Sequence, residues 1–424
     1  MSISLAADSV TGRGYHNETF AAINPLNTAE MVVSYQVPAT VAHSTDGGAT
    51  WRGAPLPGTD AFELAGDPSV TYDGDGHAYA LYIAFDRPDD YDTLGRAAHR
   101  NGIYINRSDD GGRTWRGVAA PVIERAELPG IPFEDKPMMI IDRSQDAARR
   151  GRIYVAWTEF RRHETAILFS RSTDGARTFS TPVEISDRAG SPKDSVGAAE
   201  GTALALAPDG TVYVVWSDST GILLDVSHDG GRTFGRDRLI ARTSDIVFGI
   251  SGIARANGYP SIACDPHDGR LYVLWVDARL GATMPFLITS GDGGTTWSEP
   301  RAVAPRDSAN RFFAWMALDP STGLLAVSYY RETTPGTFAY DLAWSTDRGA
   351  SFTYRQWSAG TFAPRGEFLG DYTGIDAQGG VVAAAWTEAR GDSARPAGEE
   401  HRPIAHHAQV VAGRAVVRVG EERH

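Results

Sequence analysis

Short apolar runs, each followed by a polar turn, recur along the whole chain, as in Ile153-Tyr154-Val155-Ala156-Trp157, Val212-Tyr213-Val214-Val215-Trp216, Leu271-Tyr272-Val273-Leu274-Trp275 and Val381 to Trp386. Such runs are too short for helices. Turns such as Asp73-Gly74-Asp75-Gly76, Asp209-Gly210 and Asp268-Gly269 close them, so the pattern predicts strands joined by hairpins. Their near-continuous hydrophobicity fits strands covered on both faces.

A second pattern sets the period. The stretch Ser44-Thr45-Asp46-Gly47-Gly48-Ala49-Thr50-Trp51 returns at Ser108 to Trp115, Ser172 to Phe179, Ser227 to Phe234, Ser290 to Trp297 and Ser345 to Phe352. Each copy suits a tight turn, because the Asp carboxylate can accept backbone N–H groups, Gly permits positive φ, and the last aromatic can pack beneath. The six aspartates lie 64, 64, 55, 63 and 55 residues apart, which is room for four strands.

Between the turns, seven polar or Pro-containing strand heads can be counted, including Asn17-Glu18-Thr19-Phe20, Gly66-Asp67-Pro68-Ser69, Glu134-Asp135-Lys136-Pro137, Gly258-Tyr259-Pro260-Ser261 and Gly370-Asp371-Tyr372-Thr373. The expectation is one all-β domain, a β-propeller of seven four-stranded antiparallel blades, or six if a terminal unit is degenerate. The blades would span about 14–60, 61–127, 128–187, 188–247, 248–304, 305–360 and 361–424. Blade seven lacks the turn motif; its outer strands would come from Ile404 to Val411 and Ala415 to Val419, or Ile3 to Ala6 would supply a closing strand.

Composition narrows the partners. The 424 residues carry 40 Lys and Arg against 53 Asp and Glu, a net charge of −13, with the basic residues scattered, which argues against nucleic acid and anionic membranes. No apolar run is long enough to span a membrane, and no signal peptide is visible, so a cytoplasmic location is expected unless a leader had been removed. The single cysteine, Cys264, excludes an internal disulfide and reads as a buried core thiol. No cofactor is implied. Asp86, Asp89, Asp90 and Asp92 offer oxygens to a calcium ion, but their spacing matches no defined cage and a solvated loop is the expectation.

In a propeller the heads of the inner strands and the ends of the second strands meet around one mouth of the axial channel. That places Glu18, Asp67, Asp135, Lys136, Glu200, Tyr259, Trp315, Asp371 and Tyr372 together. Second strands end in an aromatic-x-acid pattern, as in Trp157-Thr158-Glu159, Trp275-Val276-Asp277, Tyr330-Arg331-Glu332 and Trp386-Thr387-Glu388, with Arg279 and Arg390 close behind. Two readings follow. Acids and arginines pair between blades as ties, or they form a funnel for a polar, anionic ligand. His16, near the same mouth, is either a proton carrier or a hydrogen-bonded structural histidine.

The six turn motifs resemble the Asp-box, or BNR repeat, of the sialidase-like superfamily, where the box is a structural turn away from the active site. That resemblance implies a substrate carboxylate held by arginines, a tyrosine nucleophile activated by a glutamate, and an aspartate acid/base. Glu200 resembles the family's glutamate and Tyr372 is similarly placed in the last blade, although no R-I-P motif precedes the first box and His16-Asn17-Glu18-Thr19-Phe20 stands there instead. The chain is also similar to bacterial sialidase-like proteins with phrases matching Asp135-Lys136-Pro137, Tyr259-Pro260-Ser261-Ile262-Ala263, Gly370 to Gly374 and Trp386 to Arg390. The leading expectation is a glycosidase-like hydrolase acting on a polar, acidic sugar. Tyr372, Asp371, Glu200, Asp135 and Glu18 would do the chemistry, while Arg279, Arg331, Arg390, Lys136, Asp67, Tyr259 and Trp315 bind. The alternatives are a lyase or small-molecule cyclase at the same mouth, and a non-catalytic propeller that binds a glycan or a protein.

Overall fold

The computed structural model describes residues 2–9, 16–36, 38–86, 100–118, 120–126, 132–194, 196–244, 247–364, 368–389 and 408–418. Seven four-stranded antiparallel sheets follow one another in chain order, making a seven-bladed β-propeller. Blades one to six run Asn17–Pro55, Leu64–Arg125, Phe133–Glu184, Glu200–Ala241, Ser261–Ala302 and Arg311–Gln356, first strand innermost. Each innermost strand packs against the next, and the ring closes where Ile375–Gln378 meets Asn17–Ile23. Among the described residues no helix is long and apolar enough to cross a membrane.

Blade seven is built from both ends of the chain. Ala408–Arg418 is one continuous strand between Val381–Ala389 and Ser2–Ser9. The N-terminal segment therefore supplies the fourth strand, and Ala415–Arg418 extends the third instead of forming a strand of its own. Residues 404–407 and 419 lie outside the described residues.

The second strands are buried on both faces, as their sequences predict: Trp157, Trp216, Trp275 and Trp386 are fully covered. The six S-x-D turns join third to fourth strands in blades one to six and repeat one bonding scheme. In the second, Ser108 Oγ donates to Asp110 Oδ1 at 2.8 Å and accepts from Gly112 N, while Asp110 Oδ1 accepts from Arg113 N and Thr114 N. A short polar segment thereby closes its own backbone groups without help from the core.

What positions the site is a bulge near the head of the innermost strand. In blades one, two, three, four and six this strand has one residue more than its partner, between Asn17/Phe20, Gly66/Ser69, Asp135/Met138, Glu200/Ala203 and Phe312/Trp315. The extra residue is left-handed: Glu18 has φ 50°, Asp67 48°, Lys136 49°, Phe313 47° and Gly201 74°. Only glycine adopts this conformation freely, and each side chain held there costs on the order of 1 kcal/mol. In blades one, two and three the residue held in this way is charged: Glu18, Asp67 and Lys136.

Candidate active site at the axial mouth

Two strand heads contribute adjacent charged residues. Lys136 sits on the bulge of blade three with its ammonium 2.8 Å from Asp135 Oδ2, 3.4 Å from Asp371 Oδ2, 3.5 Å from Asp194 Oδ1 and 3.7 Å from Glu200 Oε2. Its backbone N–H donates to Asp67 Oδ2 at 3.0 Å, tying the bulges of blades two and three. Lys136 is 4% exposed, so this cation is held by carboxylates and not by water.

A second cation comes from an irregular insertion. Arg255 donates from Nε to Asp371 Oδ1 at 2.6 Å, from Nη2 to Asp371 Oδ2, and from Nη1 to Asp194 Oδ2 at 3.0 Å, with Phe368 beneath its guanidinium. Asn257 completes the grip, donating from Nδ2 to Asp371 Oδ1 at 2.7 Å. Fork-shaped donation to a carboxylate fixes both partners in orientation as well as in charge.

The remaining carboxyls adjoin this pair. Glu18 and Asp67 share a side-chain hydrogen bond, and Asp67 shares another with Asp135. Two carboxyls can bond only if one holds a proton, and the pKa directions agree. Burial pushes Glu18 up to about 7 and raises Asp67 well above the carboxylate range. Burial, against the pull of Lys136, likewise pushes Asp135 and Glu200 up to about 8. Glu200 lies against Tyr259, whose hydroxyl is held protonated by burial and then by that carboxyl. Gly201 makes room for the tyrosine: a Cβ there would meet Tyr259 Cδ1 at 2.3 Å.

The Tyr372 hydroxyl is held protonated by burial and by Asp67 and Glu18. Its ring lies 5.4 Å from Phe20 and 6.4 Å from Trp315, and Phe20 and Trp315 meet edge to face at 5.4 Å. These aromatics floor the mouth. At the far end of the channel a cavity of about 730 Å³ opens, with walls that include Val70, Ile140, Leu204, Met316 and Ile375. Cys264 lines that cavity half-buried, not sealed in the core as expected, and burial pushes its thiol up to about 12.

The structure thus brings together Glu18, Asp67, Asp135, Lys136, Glu200, Tyr259, Asp371 and Tyr372, over Trp315. It takes Arg279 and Arg331 elsewhere. Arg279 Nε lies 2.8 Å from Asp277 Oδ2, with the guanidinium over Trp275 and Phe286, while Arg331 Nε lies 2.6 Å from Asp341 Oδ2, within its own blade. Arg390 lies outside the described residues. In two of its copies the aromatic-x-acid pattern has a structural cause, whereas Trp157 Nε1 donates to Glu134 across the strand pair. Residues two apart on a strand share a face, and a buried indole N–H needs an acceptor. Trp275 Nε1 finds Asp277 Oδ2 at 2.9 Å, and Trp386 Nε1 finds Glu388 Oε1 at 3.0 Å. His16 is half-buried against Tyr35, and burial lowers its pKa.

Arg255, Asp194 and Asn257 escaped the sequence reading. Their only signal is that they fall in the irregular insertions 187–197 and 243–258, which interrupt an otherwise regular repeat. As for metals, the calcium-loop residues Asp89, Asp90 and Asp92 lie outside the described residues, and Asp86 faces Arg100 at 3.4 Å. Asp73, Asp75 and His77 bring three ligating atoms within 4.8 Å, but Asp73 Oδ1 accepts from its own turn and Arg150 takes Asp75 at 2.6 Å.

No family model matches the chain, and no curated protein does. Several solved structures share the fold. An ulvan lyase bound to -[GlcA(1-4)Rha3S]- aligns with a TM-score of 0.53 at 13% identity, over 89% of this chain and 93% of its own. An α-L-arabinofuranosidase of Fusarium graminearum in complex with arabinobiose aligns at 0.53 and 14%, over 78% and 92%. The endosialidase of phage phi92 aligns at 0.54 and 10%, over 99% and 70%. At such identities the likeness is one of fold.

Proposed function

We propose that the protein is a carbohydrate-active enzyme that hydrolyses a glycosidic bond at the axial mouth by carboxyl acid and base chemistry. The observation that carries this reading is Glu200, fully buried, beside Tyr259 and 3.7 Å from Lys136, with its carboxyl pushed up to about 8. A carboxyl that keeps its proton at neutral pH can protonate a departing glycosidic oxygen. Glu18, at about 7 and bonded to Asp67, is poised to take a proton from attacking water. Lys136 and Arg255 hold Asp135, Asp194 and Asp371, and the half-buried Trp315, packed on Phe20 and Tyr372, offers apolar surface to a sugar ring.

The fold supports the class of ligand, since the aligned structures named above include enzymes captured with saccharides. The charge balance refines it. Among the described residues six carboxyls face two cations that are both closed on carboxylates, which favours a neutral or donor-rich sugar over the acidic one expected from the sequence. The same balance weighs against elimination from a uronate, which needs a cation free to hold the substrate carboxylate. The test is turnover by pure protein of neutral, amino and acidic glycosides, with Glu200→Gln alongside. Hydrolysis lost in the variant supports the reading. Tight binding of a saccharide with no turnover of any substrate would leave a binding propeller in its place.

A further inference from the structure

Three buried oxygens at the mouth have no hydrogen-bond partner among the described residues: Glu18 Oε2, Tyr372 Oη and Asn257 Oδ1. Tyr372 is 2% exposed and Asn257 1%, so water does not readily compensate. The Asn257 amide is fixed by its bond to Asp371, which leaves the carbonyl oxygen as the unmet group. A carboxylate oxygen and an amide oxygen can only accept, and a tyrosine hydroxyl accepts as readily as it donates. What these atoms lack in common is a donor.

The charge around them is one-sided in the same sense. Lys136 and Arg255 are spent on Asp135, Asp194, Asp371 and Glu200, whereas Glu18 and Asp67 have each other, the Asp135 carboxyl, the Lys136 backbone N–H, and more distant attraction from the cations. A metal ion is the poorer candidate for the gap. Among the described residues, three His, Cys, Asp or Glu side chains bring ligating atoms within 4.8 Å of one another only at Asp73, Asp75 and His77, not at Glu18 and Asp67. An ammonium group offers three donors and one positive charge in the space of a water molecule.

We infer that the mouth takes a sugar bearing a free ammonium group, seated among Glu18, Asp67, Tyr372 and Asn257. The inference rests on the carbohydrate reading above and names its substrate class. Seating the cation ionises the carboxyl pair that now shares a proton, so that proton leaves to solvent as the ammonium enters. An N-acetylated sugar brings one donor and no charge to the same place, and a uronate brings the wrong sign.

The experiment titrates the full chain calorimetrically at pH 6.5 with matched methyl glycosides, amino, N-acetylamino and uronic, in gluco and galacto forms. Each titration is done in two buffers of different ionisation enthalpy. The expected result is at least tenfold tighter binding of an amino sugar than of its N-acetyl partner, with a proton released on binding. Glu18→Gln and, separately, Tyr372→Phe should bring the amino-to-acetyl ratio down to within threefold, and thermal melts identify whichever variant folds. Equal or tighter binding of the N-acetyl or uronic sugar, or amine binding without proton release, overturns the inference. If those other sugars are bound and cleaved, the glycosidase reading survives its loss; if no saccharide binds, both fall.

Discussion

Arg255 reaches from the insertion before blade five to Asp371 at the head of blade seven, its Nε 2.6 Å from Asp371 Oδ1. One side chain thus ties a loop to a distant blade through a carboxylate that is 3% exposed.

Arg255→Ala should therefore cost more than a surface ion pair. Removing one partner of a largely buried pair strands the other, and with the arginine side chain 30% exposed the loss is on the order of 2–3 kcal/mol. Arg255→Lys should recover only part of it, since an ammonium cannot donate in parallel to both oxygens. Urea unfolding of the three proteins measures this, and equal midpoints would mean the pair is dispensable.

The raised carboxyls set the sign of the pH dependence. Glu18, Asp135 and Glu200 bind protons more tightly folded than unfolded, so stability is favoured below about pH 4.5 and is lost as pH rises towards 7 to 8. The turn aspartates act oppositely. Asp110 and Asp174 are lowered to about 2 by bonds from their turns, and their contribution disappears as pH falls below 4. Melting temperature should peak near pH 5 and decline to pH 8, and Glu200→Gln should flatten that decline. A melting temperature that climbs from pH 5 to 8 would contradict the protonated centre.

Glu200→Gln should lower kcat by about 10²- to 10⁴-fold on a glycoside with a poor leaving group. A nitrophenyl leaving group, which needs no protonation, should restore most of that loss. Unequal rescue of this kind marks a proton donor, whereas a merely structural role would depress both substrates alike.

Gly201→Ala isolates geometry from charge. The added methyl would meet the Tyr259 ring at 2.3 Å, on a backbone with φ of 74°. Activity should fall at least tenfold while every titrating group remains. Asp110→Ala is the converse: it removes acceptors for Ser108, Arg113 and Thr114 at the rim, should cost about 1–2 kcal/mol, and should leave kcat/KM unchanged. Denaturation midpoints and kinetics on the same samples separate the two cases.

The contrast shows what was legible in the chain. The blades could be read because the same turn, with the same self-satisfied bonds, recurs six times at strand-length spacing. The strand-head acids could be read because they cluster at one place in that repeat, Glu18 and Asp67 on the bulge residue and Asp135 and Glu200 one residue before it. Arg255, Asp194 and Asn257 could not, since they belong to insertions that have no period. Arg279 and Arg331 were drawn to the mouth by their nearness to strand ends. The structure folds them back on Asp277 and Asp341, where short-range pairing outweighs any pull towards the axis. The acidic-sugar expectation leaned on Arg279, Arg331 and Arg390, of which the first two are engaged within their own blades and the third lies outside the described residues.

The pairing of Ser2–Ser9 with Ala408–Arg418 couples the first described strand to the last. A ladder whose two rails are separated by nearly the whole chain can zip only after everything between them has been laid down, so the ring should finish slowly and all at once. Until then the edge of Ala408–Arg418 is open, and a neighbouring copy's leading strand could dock there in place of its own. The join that seals one molecule is thereby also where two could become entangled during refolding at high concentration.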